Sequence, residues 1–379
     1  MDRIKKYLLF AFILENIAVQ TMMMGAFANA VFYILIPIGA LFLFSKEIFS
    51  SVTMRTCWWA YALSVIYIVY EFFVGSEYVN SRTIFYMCGK ITTFVIILVG
   101  IRKNYEFYAQ KMFFPLAVFL TVFLVYGLLT GQGMSTETGR LTLGYTNENT
   151  TSWMGALAVG CILFSKRKWD WKSLLIVCLG IFGLLAGASR AGMLFLAILV
   201  VVRYGLKMNI IVPLISGYFI AVLLLPAIGL NTIGMQRFQD TLTGAETSNR
   251  EPEREAAELM ISQKPYTGWG FEAQNVGDAL AISELGSHNG YLETLKFMGY
   301  PMGGLWIFIV LYSCVQVLMG FWRRRIKFGL SEAYVISLLI CAMYEDLFTG
   351  VHEFATNFFF ISLAISSFKL RNQKNQISI

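Results

Sequence analysis

The sequence predicts an all-α integral membrane protein of about twelve transmembrane helices, with one large extracytoplasmic loop that contains a short amphipathic helix. Three observations predict it. Of 379 residues, 57% are hydrophobic and only 14% charged, whereas soluble domains carry roughly a quarter of their residues as charges. The charges form short clusters between apolar runs long enough to cross the hydrocarbon layer, which takes about 20 residues. The positive charges collect in alternate loops. This pattern excludes a water-soluble fold and accounts for the net charge of +7 without nucleic acid.

Apolar windows give spans near residues 7–27, 29–45, 57–74, 84–101, 112–130, 148–164, 172–188, 190–206, 209–230, 299–320, 331–347 and 352–368. With the N terminus inside, 21 of the 30 Lys and Arg residues fall in cytoplasmic segments, and Lys90 lies within a span. Every inner loop is then basic, so an even span count and two cytoplasmic termini support each other. Residues 1–379 form one polytopic domain, with 231–298 as its large outer loop. The start, MDRIKK before an apolar run and Ala26-Phe27-Ala28, resembles a secretory signal, but an uncleaved start-transfer helix, interrupted by Glu15, is the favoured reading for a polytopic protein. Ser189-Arg190 joins two spans with almost no loop, which places Arg190 at or just within the outer membrane surface. The six cysteines lie in apolar runs without CxxC spacing, so neither zinc nor a disulfide framework is signalled. No internal repeat is visible, which disfavours a secondary transporter.

The outer loop is far longer than a helix pair needs, and loops of such length are functional or disordered. Trp269, Phe271, Tyr266 and its glycine turns argue for order. Ser248-Asn249-Arg250-Glu251-Pro252 reads as a capped helix start with proline in the first turn, and Ala256, Leu259, Met260 and Gln263 recur at helical spacing. Arg250 stands where free backbone N–H groups favour an anion and offers a planar fork suited to phosphate; an ion pair with Glu251, Glu253 or Glu255 is the plainer reading. His288 is one of two histidines, with His352, and both fall on the outer side. Histidine is the side chain best able to accept a proton near neutral pH, though a surface or capping role is the common one. In a second outer segment, 131–150, Asn147, Asn149 and Thr150 are placed to bond a sugar or phosphate, or to cap the next helix. Glu345 and Asp346 near the outer end of a span draw functional suspicion as intramembrane charges.

Four features in order carry a resemblance: Ser189-Arg190 at the start of a span; Arg250 fifteen positions before Pro265; Gly-Trp-Gly-Phe at 268–271; and His-Asn-Gly-Tyr-Leu-Glu at 288–293, followed by Gly299 and a new span. Gly-Tyr-Thr-Asn-Glu-Asn at 144–149 adds an Asn-containing element. Together they resemble the bacterial O-antigen ligase and polymerase superfamily, over the second half of the chain. The resemblance implies a GT-C-like membrane glycosyltransferase of the bacterial cytoplasmic membrane. It implies a metal-independent, inverting reaction on the extracytoplasmic face, with no cofactor. Its functional arginines fall on Arg190 and Arg250 and its loop histidine on His288, with Arg254 and Asn289 as supporting substrate-binding candidates. Glu293 is assigned to orient the imidazole or the acceptor, while Lys296 and Arg140 are cations with no motif behind them. Donor and acceptor are undecaprenyl-diphosphate-linked glycans in the bilayer, with a chain-length regulator as a further partner. No DxD pair or His/carboxylate set on the outer side signals a metal. A repeat-unit polymerase for O-antigen, capsule or exopolysaccharide is favoured. A ligase to lipid A core or another acceptor is the alternative within the family, and a lipid-linked oligosaccharide flippase the alternative outside it.

Overall fold

The computed structural model describes residues 2–74, 81–133, 140–165, 168–205, 250–271, 288–348, 350 and 353–377. The described residues form helices and no strands: α1 (Asp2–Ala18), α2 (Gly25–Ala40), α3 (Ser51–Thr56), α4 (Trp58–Val69, continued by a π-helical turn Tyr70–Val74), α5 (Ser81–Ile101), α6 (Phe113–Thr130), α7 (Glu148–Phe164), α8 (Trp171–Gly187), α9 (Arg190–Tyr204), α10 (Arg250–Gln263), α11 (Gly290–Arg323), α12 (Leu330–Cys341) and α13 (Phe354–Ile377). Eleven of the twelve expected spans coincide with helices here; the span at 209–230 lies outside the described residues. Among the described residues three stretches, Thr83–Ile101, Phe113–Thr130 and Gly290–Arg323, are long and apolar enough to cross a membrane.

Helix α7 packs against α6, α8 and α9, and α12 joins this group to α13. The α7–α8 approach is close because both faces are small. A Cβ at Gly180 would come within 2.7 Å of the Gly155 carbonyl oxygen, the small-residue contact that lets membrane helices meet backbone to backbone. Helix α1 packs on α2, α5 and α13, burying Leu8, Leu9, Phe12, Ile13 and Ile17, and so is built into the core. Trp306 Nε1 donates to Tyr67 Oη at 3.1 Å, tying α11 to α4. Phe308, Val315 and Trp322 on α11 are exposed, as lipid-facing apolar side chains are.

Several boundaries differ from expectation. Helix α1 stops at Ala18, because residues 20–22 turn aside to bond the 144–146 segment: Met22 N donates to Gly144 O and Thr146 N to Gln20 O, both at 2.9 Å. Helix α11 starts at Gly290, ahead of the span expected at 299, and is kinked at Gly299 (φ 69°) beside Pro301. Helix α12 ends at Cys341, so Glu345 and Asp346 lie in a non-helical connection rather than in a span. Its backbone is diverted there: the Ala342 and Glu345 carbonyls both accept from Gly290 N.

Candidate active site

The described segment 250–271 is locked to the bundle by its turn. Past α10, Trp269 N donates to Lys296 O and Gly270 N to Phe297 O at 2.9 Å, and Tyr300 N to Pro265 O at 2.7 Å. Gly268 (φ 68°) and Gly299 (φ 69°) face each other across this contact, and a Cβ on Gly268 would overlap the Phe297 carbonyl oxygen. Tyr70 Oη donates to Thr267 O at 2.9 Å, and Phe271 stacks on Tyr86 with centroids 4.3 Å apart. The 268–271 motif is therefore a clamp that fixes α10 and the start of α11 against α4 and α5. It carries no reactive group.

That clamp aims α10 at His288. The face α10 buries runs through Glu253, Ala257, Met260 and Ile261, while Leu259 is exposed; it shares Met260 with the stripe expected through Ala256, Leu259, Met260 and Gln263 and is otherwise rotated from it. As a result a carboxylate, Glu253, sits on the inward face, 6% exposed. Its Oε2 lies 3.5 Å from His288 Nε2. On the other side of the half-buried ring, Nδ1 is 3.7 Å from Glu345 Oε2. His288 itself has φ 47°, a left-handed conformation uncommon outside glycine. It is held there because the next two residues are committed: Asn289 caps α11 by accepting from Tyr291 N (3.0 Å) and Leu292 N (3.2 Å), and Gly290 docks on the α12–α13 connection.

Glu345 links His288 to a neighbouring cavity of about 260 Å³, lined among others by Asn147, Glu148, Asn149, Asp346 and Glu353. Asn147 caps α7, accepting from Thr150 N at 2.7 Å. Asn149 is held by Arg140, whose Nη2 donates to its Oδ1 at 2.6 Å and whose Nε donates to Gly187 O at 2.7 Å. Arg140 thus braces the start of α7 against the end of α8. Arg190 is the first residue of α9, whose N-cap Ser189 accepts from Gly192 N at 3.3 Å. Ser189 N donates to Ser152 Oγ at 3.0 Å and Ala191 O accepts from Cys341 Sγ at 3.7 Å. The start of α9 therefore sits between the first turns of α7 and the last of α12, at the same end of the bundle as Asn147 and Glu345.

Other expected residues are placed elsewhere. Arg250 opens α10, one turn before Glu253. Arg254 pairs with Glu258 at 2.7 Å on an exposed face. Glu293 is buried against Lys296, 2.5 Å away, so the carboxylates that flank the imidazole are Glu253 and Glu345. His352 lies outside the described residues. Glu253 carried a signal in the sequence, a carboxylate in register with the apolar positions 257, 260 and 261; the partnership of Glu345 with His288 left none.

Comparison with known families gives one match: residues 174–309 fit the family described as O-antigen ligase. No curated protein matches the chain. The matched segment starts in α8 and ends in α11, and so contains Arg190, all of α10, the 268–271 clamp and His288. Residues 174–309 are thus similar to the O-antigen ligase family, and the described helices, three of them long and apolar enough to cross a membrane, fit an integral membrane protein.

Proposed function

We propose that the protein is a glycan polymerase that joins polyprenyl-diphosphate-linked repeat units by inverting, metal-independent transfer on the extracytoplasmic face, in a twelve-span topology with both termini cytoplasmic. The observation that carries this reading is His288 standing between Glu253 and Glu345 at the end of the bundle where α9 presents Arg190. The acceptor hydroxyl oxygen bonds to the donor C1 as the C1–O bond to the diphosphate breaks, and that electron pair stays on the phosphate oxygen. The hydroxyl proton passes to His288 Nε2. The Glu345 carboxylate, 3.7 Å from Nδ1, favours a proton on that nitrogen by its charge, while Glu253 stabilises the imidazolium that forms. Arg190 and Arg250 neutralise the leaving diphosphate, the type of electrostatic help that acts where charge develops. Asn147 and Asn149 line the cavity beside Glu345, a place for sugar hydroxyls.

A ligase that moves finished glycan to lipid A core or another acceptor is the second reading, favoured by the description of the matched family. Purified protein given only a polyprenyl-diphosphate repeat unit separates them: a polymerase yields a ladder of longer lipid-linked products, and a ligase yields none until a distinct acceptor is added. A flippase differs from both, since its function survives His288→Ala.

A further inference from the structure

At the ends of α9 and α11 remote from Arg190 and His288, Arg203, Arg323, Arg325 and Lys327 surround a cavity of about 810 Å³, with Trp322 and Phe328 in its wall. Among the described residues no carboxylate lines it, and none of these four cations makes an ion pair. The chain that follows Arg203 contains no Asp or Glu from Gly205 to Gln239. Some other cations at this end are matched: Lys5 and Lys103 share Glu47 at 2.6 and 3.7 Å and Lys369 meets Glu332 at 3.2 Å, while Arg371 donates to the neutral Val52 O and Thr56 Oγ1. Retaining basic charge in a loop orients a membrane protein wherever in the loop that charge lies; gathering it unpaired from two separate segments around one cavity requires a further reason.

The backbone gives a second observation. Arg325 N donates to Trp322 O and Ile326 N to Phe321 O, both at 3.0 Å, closing α11 with Arg325 in the left-handed conformation (φ 53°). Glycine ordinarily takes that position, and arginine there keeps a cation at the cavity against a conformational cost. Above it runs the exposed apolar face of α11, Phe308, Val315 and Trp322. We propose that this cavity binds the phosphate of an anionic lipid headgroup, its oxygens held by the arginine forks and Lys327 and its acyl chains lying along α11. The site is independent of the reaction at the other end.

The test uses the full chain reconstituted in phosphatidylcholine vesicles with and without phosphatidylglycerol, with protein-retained lipid measured by mass spectrometry after mild extraction. Phosphatidylglycerol is expected to be retained over phosphatidylcholine, with retention falling about fivefold for each cation removed in Arg203→Gln and Arg325→Gly. Arg325→Gly relieves the positive φ, so its loss of lipid is not a loss of fold. Arg371→Gln, outside the cavity, should retain lipid as the parent does. Equal retention of the two lipids, or full retention in Arg325→Gly, overturns the proposal. Displacement of phosphatidylglycerol by millimolar inorganic phosphate also overturns it, by assigning the cavity to free phosphate.

Discussion

The two ends of α9 and α11 carry opposite electrostatics. At one end His288 stands between carboxylates, with Glu253 and Glu345 within 3.5 and 3.7 Å of the imidazole. At the other, Arg203, Arg323, Arg325 and Lys327 gather around a cavity with no acidic lining among the described residues. The difference teaches that charge in this protein is used in two ways. On the proposed reading, mixed charge held on kinked and capped backbone sets proton chemistry, and single-sign charge at helix ends meets a phosphate-bearing surface.

Substitutions should separate the ends, and the largest effect belongs to the imidazole. His288→Ala is expected to lower polymerisation by about 10²- to 10⁴-fold, the usual scale of general acid–base help, measured as initial rate of ladder formation. Next, Arg190→Ala and Arg250→Ala should each cost about 10²- to 10³-fold, and Arg190→Lys should recover part of the loss, because lysine keeps the charge and loses the fork. Glu345→Gln is expected to lower kcat by about 10- to 100-fold with KM nearly unchanged, the range for losing a charged hydrogen-bonding partner; a change confined to KM would mean that Glu345 serves the sugar cavity and not the histidine. Gly268→Ala breaks the clamp through its positive φ and its contact with Phe297 O, and should destabilise by about 1–3 kcal/mol, visible as a lowered Tm. At the small end, Arg254→Ala removes only an exposed i,i+4 pair and should change stability by less than about 0.5 kcal/mol, with turnover intact.

Most of the helices were legible in the sequence because the bilayer imposes a length and the loops impose a sign. Helix α10 was legible from Pro252 in its first turn, and the Ser189 turn from the lack of any linker. Three things were not legible, each for a tertiary reason. The segment 342–347 has no glycine or proline, so no local breaker stops α12 at Cys341; it stops where Gly290, far along the chain, takes two of the carbonyls. The bend at Gly299 is set by the facing turn at Gly268. The histidine's partners come from α10 and from the α12–α13 connection, so adjacency in the sequence pointed to Glu293, which is occupied by Lys296.

The measurement that tests the central claim most directly is polymerisation of a purified polyprenyl-diphosphate repeat unit by the reconstituted protein in the presence of a chelator, parent against His288→Ala and Glu345→Gln. The account predicts a full ladder from the parent, a trace from Glu345→Gln and almost none from His288→Ala, with all three proteins equally folded by thermal unfolding. A ladder from His288→Ala as long and as fast as the parent's would contradict it.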